Sequence, residues 1–111
     1  MVLLNSIILE GETKKDQHYN FVDNEQKTLC QFSITTKRTV LSETGRGEMV
    51  PEEYIIPCRA VGDIAKSVNR ILNETDNQGI RIVGILKSDV SGVYIFAERI
   101  EYRFSKGKKS K

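Results

Sequence analysis

Lys37 and Arg38 stand side by side at the end of a strand-like run, TLCQFSITT at residues 28–36, in which Gln31, Ser33 and Thr35 alternate with Cys30, Phe32 and Ile34. Paired cations beside a row of amide and hydroxyl side chains have the chemistry to hold phosphates and to hydrogen-bond the groups those phosphates carry. Arg46 lies inside KRTVLSETGRGEMVPE, residues 37–52, and Lys87 closes IRIVGILK, residues 80–87. These two, with Arg59 and Arg81, are the weaker cation candidates, because solvated surface is the ordinary reading for such side chains.

A chain of phosphates carrying flat rings also asks for aromatic faces. The sequence has no Trp, so that task falls to four Tyr and four Phe. Tyr54 follows the long glycine-containing stretch and is the first candidate, against the repulsion that Glu52 and Glu53 would exert on a phosphate. Phe96 shares a strand face with Tyr94, and packing and stacking are equal readings for that pair. Phe32 alternates with Cys30 and Ile34 and reads as core, while Tyr102 and Phe104 read as structural. Tyr19 and Phe21 sit in a polar connection, and folding back over the end of the domain is their ordinary fate.

Catalytic and metal chemistry find little support. His18 is the single histidine and no CxxC occurs, so a zinc site is not expected, nor is any cofactor. Asp76 and Asp89 lie in turn-like contexts that Asx chemistry explains. The GRG at residues 45–47 lacks the flanking strand and helix of a phosphate loop. No enzyme is expected.

The elements that must position these residues are legible from period and punctuation. LLNSIILEGE, residues 3–12, reads as a first strand, with Gly11 marking a bulge or sharp coiling that lets one strand serve two sheets. TKKDQHYNFVDNEQK, residues 13–27, reads as a polar connection, and residues 37–52 as a long protruding loop signalled by Gly45, Gly47 and Pro51. EYIIPCRAV is a third strand, with Pro57 suggesting an edge or bulge position. Gly62 and Asp63 then open a helix whose Ile64, Val68, Ile71 and Leu72 follow the helical spacing. IRIVGILK and VYIFAERIEYRF, joined by the tight turn SDVSG, complete five strands. Five strands with one helix between the third and fourth is the all-β layout of an oligonucleotide/oligosaccharide-binding barrel, the OB-fold; an SH3-like barrel or an antiparallel α+β sandwich would also carry this pattern, and Gly11 and the helix position favour the OB-fold.

Composition agrees with one ordinary globular domain: 39% of the residues are hydrophobic and 29% charged, in 111 residues. No run is apolar enough to span a membrane, and MVLLNSIIL lacks the basic start and cleavage site of a signal peptide. Cys30 and Cys58 read as small buried hydrophobes, suited to a reducing cytoplasm. The net charge of +2 is uneven: the last seven residues, SKGKKSK, hold four lysines, and residues 1–104 carry 13 basic against 15 acidic side chains. The expected organisation is therefore a domain over residues 1–104 and a basic disordered tail over 105–111 that adds salt-sensitive attraction to a polyanion or only solubility.

LNSIILEGE resembles the opening of bacterial single-stranded DNA-binding proteins, and IIPCRAVGDIAKSV is similar to the third strand and helix start of that family. CQF at residues 30–32, the spacing from Pro57 to Gly62, AERIE at 97–101 and the short SDVSG turn lean towards a relative of that family, primosomal replication protein N. The resemblance spans nearly all of residues 3–104. It implies an OB-fold oligomer, dimer or tetramer, that binds single-stranded DNA without catalysis in replication, repair or recombination, in the bacterial cytosol or nucleoid. Replication or primosome proteins are the further partners it implies, and no membrane.

The departures from the family matter as much. Ile55 and Val61 stand where the resemblance places stacking aromatics, and Tyr54 falls one residue early, on the opposite face of a strand. The acidic, apolar C-terminal hook of the family is replaced by SKGKKSK. Gln31, Ser33, Thr35, Lys37, Arg38, Arg46, Tyr54, Lys87 and Phe96 are the expected nucleic-acid contacts. Two other readings remain open: a primosome-type adaptor that kept the fold but lost the DNA surface, and an RNA binder of the same fold.

Overall fold

Alternation along residues 28–36 places Cys30, Phe32 and Ile34 on one face, and in the computed structural model all three are buried at the centre of a barrel. The structure describes residues 3–75 and 77–105. The elements are β1 (Ile7–Lys14), β2 (Asn20–Asp23), β3 (Thr28–Leu41), β4 (Met49–Val61), α1 (Gly62–Glu74), β5 (Gln78–Asp89) and β6 (Gly92–Ser105). Strands β1, β5, β6, β4 and β3 close on themselves, because β1 pairs with β5 and then with β3. All pairings are antiparallel except β4 with β6. This is the expected OB-fold barrel, with its helix between the third and fourth barrel strands.

Gly11 makes closure possible. It lies where β1 leaves β5 and joins β3, and a Cβ there would stand 2.3 Å from the Thr35 carbonyl oxygen. Only a residue without a side chain lets the two strands come this close.

Helix α1 covers one end of the barrel with Ala65, Val68 and Leu72, spaced three and four residues apart and all buried. Burying a side chain such as Val68 or Leu72 stabilises the fold by roughly 1.5–3 kcal/mol each. Gly62, at φ 63°, turns the chain from β4 into the helix, a conformation that costs an L-residue with a Cβ. Asp63 is an acid of the first turn, and Val61 is the N-cap residue.

Two parts of the chain differ from the sequence reading. The connection over residues 13–27 contains a sixth strand, β2, paired along β3 as Phe21 with Cys30 and Val22 with Leu29. Half-burial of Phe21 against the core holds it there, and the Asn24 carboxamide closes its turn by accepting the Gln26 and Lys27 N–H groups at 2.9 and 3.0 Å. The stretch over residues 37–52 is mostly a two-stranded arm, not a loop. Strands β3 and β4 stay in register over 13 pairs, from Leu29–Val61 to Leu41–Met49, and the chain reverses only between Ser42 and Glu48. Gly45 and Gly47 take the positive φ of that reversal. Pro51 is compatible with pairing because β4 meets β6 only at Cys58 and Arg59, so the edge beside Pro51 has no strand neighbour among the described residues. The same edge position explains Pro57. No helix of the described residues is long and apolar enough to cross a membrane.

Candidate nucleic-acid interface

Alternation along β4 turns Ile55, Pro57 and Arg59 outwards, opposite the buried Cys58 and Ala60. Along β6 the core takes Ile95 and Ala97, which leaves Tyr94 and Phe96 on the outer face. The parallel contact of β4 with β6 brings these rows together, with Arg59 opposite Phe96. The Arg59 guanidinium lies 3.8 Å from the centroid of the Tyr94 ring. Its Nη1 is 2.8 Å from Asp89 Oδ2, and its Nη2 donates to Ser91 Oγ at 3.1 Å. Beside it, Lys87 Nζ lies 4.4 Å from the centroid of the Phe96 ring. Two cation–aromatic pairs therefore sit next to each other on the barrel face, an arrangement in which cation and ring attract through the ring quadrupole.

The turn between β5 and β6 is built to hold Arg59. Asp89 Oδ1 accepts the Ser91 N–H at 2.8 Å and the Ser91 hydroxyl at 2.6 Å. These hydrogen bonds, and then the Arg59 guanidinium, bring the Asp89 carboxyl down to about 2. The carboxylate is thus ionised throughout the range in which Arg59 needs a partner. Between this turn and β3–β4 runs a cleft of about 420 Å³ lined by Gln31, Ile55, Pro57, Arg59, Val93 and Tyr94. Ile55 is 60% exposed on its wall.

The residues expected from sequence fall into two groups. Gln31, Lys87 and Phe96 belong to the barrel face, with Gln31 paired to Arg59 across the strands. Lys37, Arg38, Arg46 and Tyr54 belong to the arm, beyond the closed part of the barrel. Lys37 continues the outward row of Gln31, and its ammonium lies 3.7 Å from Glu53. Arg38 and Tyr54 lie on the other face of the arm, where Arg38 is opposite Glu52. Tyr54 is 41% exposed and donates its hydroxyl to a Glu52 carboxylate oxygen, which raises the phenol above its ordinary range. Arg46 sits in the exposed reversal at the arm's tip.

Ser33 and Thr35 correct the expectation of an open polar row, because they are 3% and 6% exposed. Ser33 is flanked by Lys14 and Pro57, and Thr35 by Glu12 and Ile55, so longer side chains on both neighbouring strands overhang these short ones. The Thr35 hydroxyl is buried without a hydrogen-bond partner among the described residues.

Other candidates are committed elsewhere. Arg81 lies 2.7 Å from Glu10 and 3.6 Å from Glu101, in a ladder of charges across β1, β5 and β6. Tyr19 donates its hydroxyl to Asn69 of the helix, and the Tyr102 hydroxyl lies 2.8 Å from that of Ser67. Among the described residues, no group of His, Cys, Asp and Glu side chains is placed to hold a metal ion. Asp76 and residues 106–111, with the tail lysines, lie outside the described residues.

The sequence reading ranked Arg59 low and left Tyr94 between packing and binding. Their alternation already turned both outwards, but their meeting depends on β4 and β6, whose contacting residues are 37 positions apart. The Asx turn at Asp89 was legible, while its hold on Arg59 was not.

No family model matches the chain, and no curated protein matches it. Among solved structures it is similar to the Plasmodium falciparum SSB in its complex with ssDNA, at a TM-score of 0.70 and 14% identity, covering 94% of this chain and 96% of that one. It is also similar to PriB from Ralstonia solanacearum, at a TM-score of 0.67 and 12% identity, over 90% of this chain and 98% of that one. A third likeness is to a deletion mutant of the single-stranded DNA binding protein from Thermus aquaticus, at 0.70 and 18% identity, over 95% of this chain and 53% of that one. At these identities the shared property is the fold, and it agrees with the OB-fold barrel described above.

Proposed function

We propose that this protein binds single-stranded DNA without catalysis and acts as a homodimer or homotetramer in DNA replication, repair or recombination, in the cytoplasm. The observation that carries the reading is the pair of adjacent cation–aromatic contacts, Arg59 on Tyr94 and Lys87 on Phe96, on the open face of an OB-fold barrel. Sequence-tolerant binding of a single strand needs flat faces for bases and cations for phosphates; Phe96 and Lys87 stand on this face, beside the cleft that Arg59 and Tyr94 line. Gln31 supplies a hydrogen-bonding side chain in the same cleft. On the arm, Lys37 continues this face, Arg38 and Tyr54 offer a cation and a ring on the opposite one, and Arg46 adds a cation at the tip. Two of the structural neighbours support the reading, one solved in complex with ssDNA and one a single-stranded DNA binding protein.

The oligomer rests on β1. Its second edge from Ile7 to Gly11 has no strand neighbour among the described residues, and Ile8 beside it is 68% exposed. Pairing of that edge with its copy would satisfy the backbone and bury Ile8.

A second reading, an adaptor that uses the barrel to bind replication or primosome proteins, is favoured by one observation. Arg59 and Lys37 each face a carboxylate, which lowers their pull on a phosphate. The test is a fluorescence-anisotropy titration of a labelled oligo-dT, with a duplex and an RNA strand of equal length, at two salt concentrations. Selective, salt-weakened binding of oligo-dT is the expected result. A stronger response to RNA would make the protein an RNA binder, and no preference for single strands would favour the adaptor.

A further inference from the structure

We propose that the Arg59 guanidinium is a stacking platform for one nucleobase. The inference rests on the reading that the cleft binds single-stranded nucleic acid, and it assigns the residue that reads the ring. Outward positions of β4 carry Ile55, Pro57, Arg59 and Val61, so the strand presents no aromatic side chain to the cleft. Arg59 supplies the missing plane. One face of its guanidinium rests on Tyr94, and its Nη atoms reach Asp89 and Ser91 at 2.8 and 3.1 Å. With one face and one edge taken, the remaining face is what a planar cation on the cleft wall has to offer. Bases stack on guanidinium planes as they do on aromatic rings.

The charge arrangement decides between stacking and phosphate binding. Asp89 is ionised and in contact with Arg59, so the pair carries little net charge into the cleft. A phosphate would have to compete with that carboxylate, whereas a neutral base would not. The side chain is only 21% exposed and held at three points, so little rotamer freedom remains to be lost when a base settles on it. Asp89 is accordingly a positioning residue: it fixes the plane and touches no base.

The experiment compares oligo-dT with an abasic sugar-phosphate oligomer of the same length, by anisotropy over a salt series. Wild type, Arg59→Lys and Asp89→Asn are titrated side by side. Arg59→Lys keeps the charge and loses the plane. Its expected effect is a roughly ten-fold weaker affinity for oligo-dT, with abasic binding and the salt slope unchanged. Asp89→Asn perturbs the platform from the turn and uncovers the Arg59 charge, so its preference for oligo-dT over the abasic oligomer is expected to fall while abasic binding strengthens, which separates the platform from a folding fault at Arg59. If Arg59→Lys leaves oligo-dT binding unchanged, or weakens both oligomers equally, the platform is overturned while single-strand binding stands. If wild type shows no preference for oligo-dT over duplex, the functional reading fails and the platform with it.

Discussion

Gly84 approaches β6 so closely that a Cβ on it would stand 2.1 Å from the backbone oxygen of Phe96. The contact lies beside a register shift in the β5–β6 ladder between Val83 and Gly84, and it sets the stretch of β6 that turns Tyr94 and Phe96 outwards. The obstacle is backbone, not a flexible side chain, so nothing nearby can rotate away. Gly84→Ala is expected to lower stability by about 3 kcal/mol, as overpacking does. Chemical denaturation will show it as an earlier midpoint, and a midpoint equal to wild type would refute the steric argument.

The pairs that hold Arg59 make a pH prediction. Asp89 titrates near 2, below its ordinary 3.8, so its ionised form stabilises the folded turn. That contribution is fully present above the ordinary value and is lost as pH falls through the folded one. The melting temperatures of wild type and Asp89→Asn should therefore differ by a constant amount from pH 5 upwards and converge between about pH 4 and pH 2. A difference that changes between pH 6 and pH 8 would contradict the assignment.

Both thiols should be inert in the native protein. Cys30 and Cys58 are 0% and 1% exposed, and burial pushes their thiols up to about 11 and about 12. At pH 8 almost no thiolate exists to react. Labelling by a disulfide reagent is expected only at the rate of unfolding, and fast labelling of either cysteine in buffer would count against the barrel interior described here.

The arm should add charge more than selectivity. Lys37→Ala and Arg38→Ala are each expected to reduce the salt slope of single-strand binding by up to ~0.7, the value of one phosphate contact. Tyr54→Ala, which removes the arm's exposed ring, is expected to weaken oligo-dT several-fold. Slopes unchanged in both cation variants would confine binding to the barrel face.

The open edge of β1 predicts the assembly. Ile8→Glu places a charge beside the edge that would pair with its copy, and light scattering is expected to show a smaller mass than wild type at micromolar concentration. A wild type that is itself monomeric would remove β1 as an interface.

Local rules carried the sequence reading a long way. Period two in TLCQFSITT and in IIPCRAV, and the helical spacing from Ile64 to Leu72, placed the core and the helix where they are found. They misplaced the arm because Gly45, Gly47 and Pro51 are strong turn signals. A cross-strand ladder of 13 pairs outweighs them, and its partners lie up to 32 positions apart in the chain.

The sequence by itself determined the five barrel strands, the helix that covers them and the strand faces on which Gln31 and Phe96 lie, because alternation and helical spacing are properties of neighbours in the chain. Only the tertiary structure decided which of these residues meet. Closure through Gly11 enclosed Ser33 and Thr35 between strands, and the parallel contact of β4 with β6 laid Arg59 on Tyr94 within reach of Asp89. Those relations depend on which strands become neighbours, and no local period carries that.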